Sequence, residues 1–192
     1  MKTNYLILIF LTTIIVSCTQ KQKIYDFKRI ELVEYRWYYV VGTTNTNELI
    51  CKFFATIDST GECKLIENYT GTTHFKKFQI SDTLLVSLID RLAPLKKDID
   101  IHPKTPNLYS GSKMRVVFYS GGTRRNIDFI ESDGYTEMNC MRLYNYVQML
   151  NRAPENESFS DTTEIKDMRI KQLKILVDSC INHPESARFI IR

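Results

Sequence analysis

Residues 48–69 constrain the fold more than any other stretch. Two alternating runs, 48–57 and 62–69, flank the turn sequence Asp58-Ser59-Thr60-Gly61. Alternation with a period of two marks a strand, and a glycine closing a short polar loop supplies the left-handed residue of a bulged hairpin turn. With Gly61 in that position, Ile57 faces Cys63, Ala55 faces Leu65 and Phe53 faces Glu67. One face then collects Leu49, Cys51, Phe53, Ala55, Ile57, Cys63 and Leu65; Lys52, Thr56, Lys64 and Asn68 take the other. A slip of one residue would turn the whole apolar set into water, so this register supports itself.

The rest of the chain repeats the theme. Residues 30–41 alternate, with Val33, Tyr35, Trp37, Tyr39 and Val41 on one side and Leu32, Glu34, Arg36 and Tyr38 on the other. Aromatic and β-branched residues at this spacing predict a strand. Residues 73–80 predict another. Ser81 then caps a helix to Leu92, with Asp82 at the positive end of its dipole and Pro94 as its stop. Residues 93–112 carry three prolines and show no period. A second hairpin turns at Gly121-Gly122, between 114–120 and 123–131, and a helix follows over 136–150. Residues 151–162 read as a linker by their Pro, Asn, Glu and Ser content, and 163–181 as a last helix ahead of a tail to 192. Runs of neighbouring strands without βαβ alternation predict an α+β fold: an antiparallel sheet built from hairpins, helices packed on one face, and a C-terminal helix.

The first residues say where such a domain would be carried. Lys2 precedes an apolar run from Tyr5 to Val16, broken only by Thr12 and Thr13, and Ile15-Val16-Ser17-Cys18 closes it. A basic start, a short greasy core and small residues at the cut make a secretory signal, and the run is shorter than the roughly 20 residues of a membrane-spanning helix. Ile-Val-Ser-Cys resembles the lipobox of bacterial lipoproteins. That resemblance implies cleavage after residue 17, lipidation of Cys18 by palmitate-type acyl chains, and attachment to a membrane of the cell envelope. Two acyl chains already anchor a protein stably, and a lipoprotein cysteine carries up to three. The expected organisation is therefore a signal over 1–17, a tether over 18–28, the α+β domain over 29–150, the linker over 151–162 and the C-terminal helix and tail over 163–192. The layout over 30–150 is also similar to small uncharacterised α+β domains of lipoproteins from Bacteroidetes-type bacteria. It lacks the paired cysteines and the proline near the first strand that such domains often carry, and the likeness implies a fold without a chemistry.

Charge excludes one class of partner. The 192 residues carry a net +4, and removal of Lys2 with the signal leaves about +3, too little to argue for nucleic acid. Four cysteines remain besides Cys18: Cys51, Cys63, Cys140 and Cys180. Their offset along the hairpin keeps Cys51 and Cys63 from bridging each other, so any bridge would join each of them to Cys140 or Cys180; all four fall at apolar positions, which favours buried free thiols over such bridges.

Catalytic patterns are missing from the sequence: no G-x-S-x-G, no glycine-rich phosphate loop, no C-x-x-C and no H-E-x-x-H. Asp98, Asp100 and His102 alternate in the proline-rich stretch but lack further ligands, so no metal or other cofactor is expected. Two surfaces are candidates for a ligand. Tyr35, Trp37 and Tyr39 could stack on sugar rings, and Arg115, Arg124 and Arg125, around the Gly121-Gly122 turn, could hold a carboxylate or phosphate. These features predict a non-enzymatic binding or interaction module whose partner is an envelope protein or glycan. Its alternatives are a carbohydrate-binding accessory, an inhibitor or immunity-type lipoprotein, and an enzyme with an unfamiliar site near residues 98–125.

Overall fold

The computed structural model describes residues 27–40, 46–69, 71–80, 86–87, 91, 112–129, 135–153, 158–181 and 189–191. Its elements are β1 (Arg29–Val40), β2 (Thr46–Asp58), β3 (Glu62–Tyr69), β4 (Thr72–Gln79), β5 (Lys113–Ser120), β6 (Thr123–Phe129), α1 (Tyr135–Asn151), α2 (Thr163–Ile181) and β7 (Phe189–Ile191). The first six strands form one antiparallel sheet in the order β4-β3-β2-β1-β5-β6. With its two helices the domain is α+β.

Local chemistry sets the turns. Asp58 accepts from the backbone N–H of Thr60 (2.8 Å) and of Glu62 (3.0 Å), and Gly61 takes φ 85°. A side-chain carboxylate thus replaces the backbone partners that the tight loop lacks, and only glycine holds that φ without strain. Across this turn Ile57 pairs with Cys63, Ala55 with Leu65 and Phe53 with Glu67.

One residue breaks the alternation of β2. Glu34 pairs with Phe53 and Tyr35 with Cys51, leaving Lys52 as the extra residue of a β-bulge. Past it the parity of β2 inverts. Phe53, Ala55 and Ile57 join one buried cluster, whereas Leu49 and Cys51 join the other with Phe54. Leu49 and Cys51 therefore do not share a face with Phe53, as unbroken alternation predicts. The bulge leaves the Cys51 carbonyl to the Asn68 side chain, which donates to it at 2.9 Å.

The sheet is buried on both faces. Ile30 and Leu32 of β1 belong to a cluster with Val116, Phe118, Ile127, Phe129 and the α1 residues Cys140, Leu143 and Val147. Val33 and Tyr35 belong to a second, with Ile66 and the α2 residues Ile165, Leu173, Leu176 and Val177. Strand geometry sends successive side chains to opposite faces, so α1 and α2 lie on opposite sides of β1. Of the helix expected over 81–92, Val86, Ser87 and Arg91 are described and helical, and Val86 packs on the α1-side cluster. Its other residues, and the proline-rich stretch through 111, lie outside the described residues.

Two boundaries move from their expected places. Asn151 belongs to the domain, not the linker. It closes α1 with its side chain donating to Glu67 (2.7 Å) and its carbonyl accepting from Lys76 (2.5 Å). The tail is not wholly irregular: Phe189–Ile191 run parallel to Asn47–Leu49. They take the part of β2 that β3 does not reach, since the β2–β3 ladder runs only from Phe53 to Ile57. Unpaired backbone groups on a strand invite such a partner.

Candidate functional site

Register places a polar patch on the α2 side of β1, β5 and β6. Arg29, Tyr119 and Arg124 lie in one cross-strand row, Glu31, Val117 and Asn126 in the next, and Val33, Arg115 and Asp128 in a third. Gln172 of α2 comes down onto it and is only 1% exposed, as is Glu31. A charge so placed needs partners.

Glu31 has three. Arg29 Nε stands 2.7 Å from its carboxylate, Gln172 Nε2 donates to it, and Tyr119 Oη donates at 3.3 Å. Gln172 also donates to Tyr119 Oη (2.9 Å) and accepts from Arg124 Nη2 at 3.0 Å. The Arg29 guanidinium lies 4.4 Å from the centre of the Tyr119 ring. Gln172 thus joins Glu31, Tyr119 and Arg124, and the network clamps α2 to the sheet.

Burial pushes the Glu31 carboxyl above the ordinary carboxylate range, against the opposing pull of Arg29 and the bonds from Gln172 and Tyr119. The folded protein therefore holds this proton more tightly than the unfolded chain does. The resulting stabilisation is complete below the unfolded value of about 4.5 and is lost as pH rises through the folded one. Urea midpoints of the parent should carry this acid-side gain. Glu31→Gln, which keeps the shape and an acceptor, should flatten that component of the profile as pH falls toward 4.5. An unchanged profile in the variant would assign the gain to other groups.

Two of the candidate arginines, Arg115 and Arg124, share the α2 side of the sheet, and Arg125 does not. Arg115 is 6% exposed and forms a bidentate pair with Asp128, Nε to Oδ1 and Nη2 to Oδ2, each 2.5 Å. Arg124 is engaged by Gln172 on the α2 face. Arg125 pairs with Phe118, whose side chain belongs to the α1-side cluster, so it projects from the opposite face. Neighbours in sequence are separated by the pleat. The aromatic strip divides as well: Tyr35 is buried at 6% exposure, Trp37 is half-buried against the α2-side cluster, and Tyr39 pairs through its backbone with Asn47.

A shallow cleft beside this patch is lined by Arg29, Thr56, Asp58, Glu62, Lys64, Glu164 and Met168. Its charges are spent locally: Lys64 Nζ lies 3.2 Å from Glu62 and 3.6 Å from Glu164, and Asp58 serves its turn. Among the described residues no group of three His, Cys, Asp or Glu side chains is placed to hold a metal ion. Asp98, Asp100 and His102 lie outside them. Cys51, Cys63 and Cys140 are buried and joined in no disulfide. Desolvation pushes the Cys51 thiol up to about 12, and that of Cys63 higher still, so neither supplies a thiolate nucleophile.

Sequence reasoning missed Glu31, Gln172, Tyr119 and Asp128. The available signal was an acid within Ile30-Glu31-Leu32-Val33 and a glutamine beside the apolar stripe of α2, both polar residues among core positions. Compared with known proteins, the chain matches no protein-family model and no curated protein.

Proposed function

We propose that the chain is a bacterial lipoprotein, held through Cys18 on an envelope membrane, and that its domain is a non-enzymatic interaction module. The observation that carries this reading is Ile15-Val16-Ser17-Cys18 closing a basic-then-apolar leader. The domain suits display: a sheet built from hairpins, a helix layer on one face, and the C-terminal helix added on the other. Its buried charges are occupied with one another, which favours recognition over catalysis. Met149 and Ile170, 58% and 51% exposed on α1 and α2, offer apolar contacts. A protein partner is favoured over a glycan because the burial of Tyr35 removes one ring from the sugar platform.

Expression in a bacterial host with radiolabelled palmitate tests the anchor. The parent should take up label and sediment with membranes, and Cys18→Ala should lose both completely. Label retained by Cys18→Ala, or a parent that takes up none, would end this reading.

A further inference from the structure

The pairing of the strands gathers particular features at one end of the sheet. Arg29, where β1 begins, lies opposite Asp58 on one side and Tyr119 on the other, and Tyr119 is opposite Arg124. Glu62 lies opposite Gln79. The start of β1, the 58–62 turn, the end of β4 and the Gly121-Gly122 turn therefore share one pole. The β3–β4 turn between Tyr69 and Thr72 is at the other. The backbone fastens this arrangement: Lys28 N–H donates to the Tyr119 carbonyl at 2.7 Å, and Ile80 N–H to that of Gly61 at 2.8 Å.

Chain length then decides which pole faces a membrane. Phe27 is buried in the α1-side cluster, nine residues after Cys18. Nine residues fully extended span at most about 32 Å. The twelve residues of β1 alone extend about 40 Å from this pole. Resting on the proposed lipidation of Cys18, we infer that the turn pole sits on the phosphate-bearing head-group layer of the membrane holding the acyl chains, with the β3–β4 turn pointing away.

The surface chemistry of the pole fits a polar interface. Lys28, Thr60, Gln79, Gly121, Gly122 and Thr123 are exposed there, a cation and hydrogen-bonding groups with no large apolar side chain among them. Such a surface meets head groups without inserting between them. Lys28 lies nearest the anchor and is placed to meet lipid phosphates.

The test uses the full lipidated chain, purified in detergent and reconstituted into phosphatidylethanolamine–phosphatidylglycerol vesicles containing a nitroxide head-group lipid. A fluorophore is placed at Thr123→Cys or Thr72→Cys in a Cys180→Ser background, the buried Cys51, Cys63 and Cys140 being poor targets for the label. The Thr123 label should lose most of its emission to the nitroxide, whereas the Thr72 label keeps its own. Gln79→Cys supplies a second label at the same pole if Thr123→Cys alters the thermal transition. Equal quenching at both poles would mean that the domain lies on its side, and stronger quenching at Thr72 that it is inverted; either result overturns the orientation. Flotation with the vesicles, abolished by Cys18→Ala, reports the anchor separately. Proteins that float but show no quenching at the turn pole refute the orientation alone, and proteins that do not float refute the anchor itself.

Discussion

Replacing Asp128 with alanine should lower the unfolding free energy by about 3–5 kcal/mol, because it takes the bidentate carboxylate away from the buried Arg115 guanidinium. Asp128 and Arg115 side chains are 8% and 6% exposed, and their two parallel bonds join β5 to β6. The cost arises less from the attraction lost than from a buried cation that has lost its counter-charge. This predicts an asymmetry between single and double changes. Arg115→Met with Asp128→Leu, which removes both charges and keeps the volume, should recover most of the loss. Urea unfolding of the two variants and the parent reads it directly. A double variant as unstable as Asp128→Ala would mean that the pair supplies geometry that apolar packing cannot replace.

Phe53→Ala should cost a similar amount, about 3–5 kcal/mol, for a different reason. Phe53 is 1% exposed and meets the Tyr144 ring edge to face, with centroids 5.4 Å apart. Tyr144 in turn donates to Glu34, whose carboxylate is 3.9 Å from Lys52 Nζ. Removing the ring opens a cavity beside the bulge and frees the tyrosine that spans α1 and β1. Loss of near-ultraviolet circular dichroism from Tyr144 should accompany the drop in thermal midpoint. Phe53→Leu, which leaves a smaller void, should lose less. A Phe53→Ala protein within about 1 kcal/mol of the parent would show that neighbouring side chains collapse into the space.

How far the sequence could be read follows from the range of each interaction. The pairing of Ile57 with Cys63 was legible because turn and strands are contiguous, and the strand period repeats within a few residues. The inversion at Lys52 was not. Leu49, Cys51, Phe53, Ala55 and Ile57 look like one unbroken face, and the bulge is set by the opposing Glu34 and Tyr35. The clamp on α2 joins groups separated by 141 residues (Gln172 and Glu31) and 88 residues (Tyr119 and Glu31), beyond any local pattern. For the arginines the local pattern showed nearness in the chain and not the face each takes. Closeness in sequence suggested a cluster, yet alternation sends Arg124 and Arg125 to opposite faces, and Arg115 had a partner thirteen residues away.

The strand order also sets the timetable of folding. β4, β3, β2 and β1 form a consecutive meander that closes through short turns, so it can assemble as soon as residue 80 has been synthesised. Its edge member, β1, then stands bare until β5 is complete about forty residues later. β7 must wait for the final residues before it can lie against Asn47–Leu49. Closing such distant pairs is slow, because loop entropy must be overcome before contacts form. On this plan the meander can close before half of the chain is made, whereas the β1–β5 and β2–β7 pairings wait for its second half.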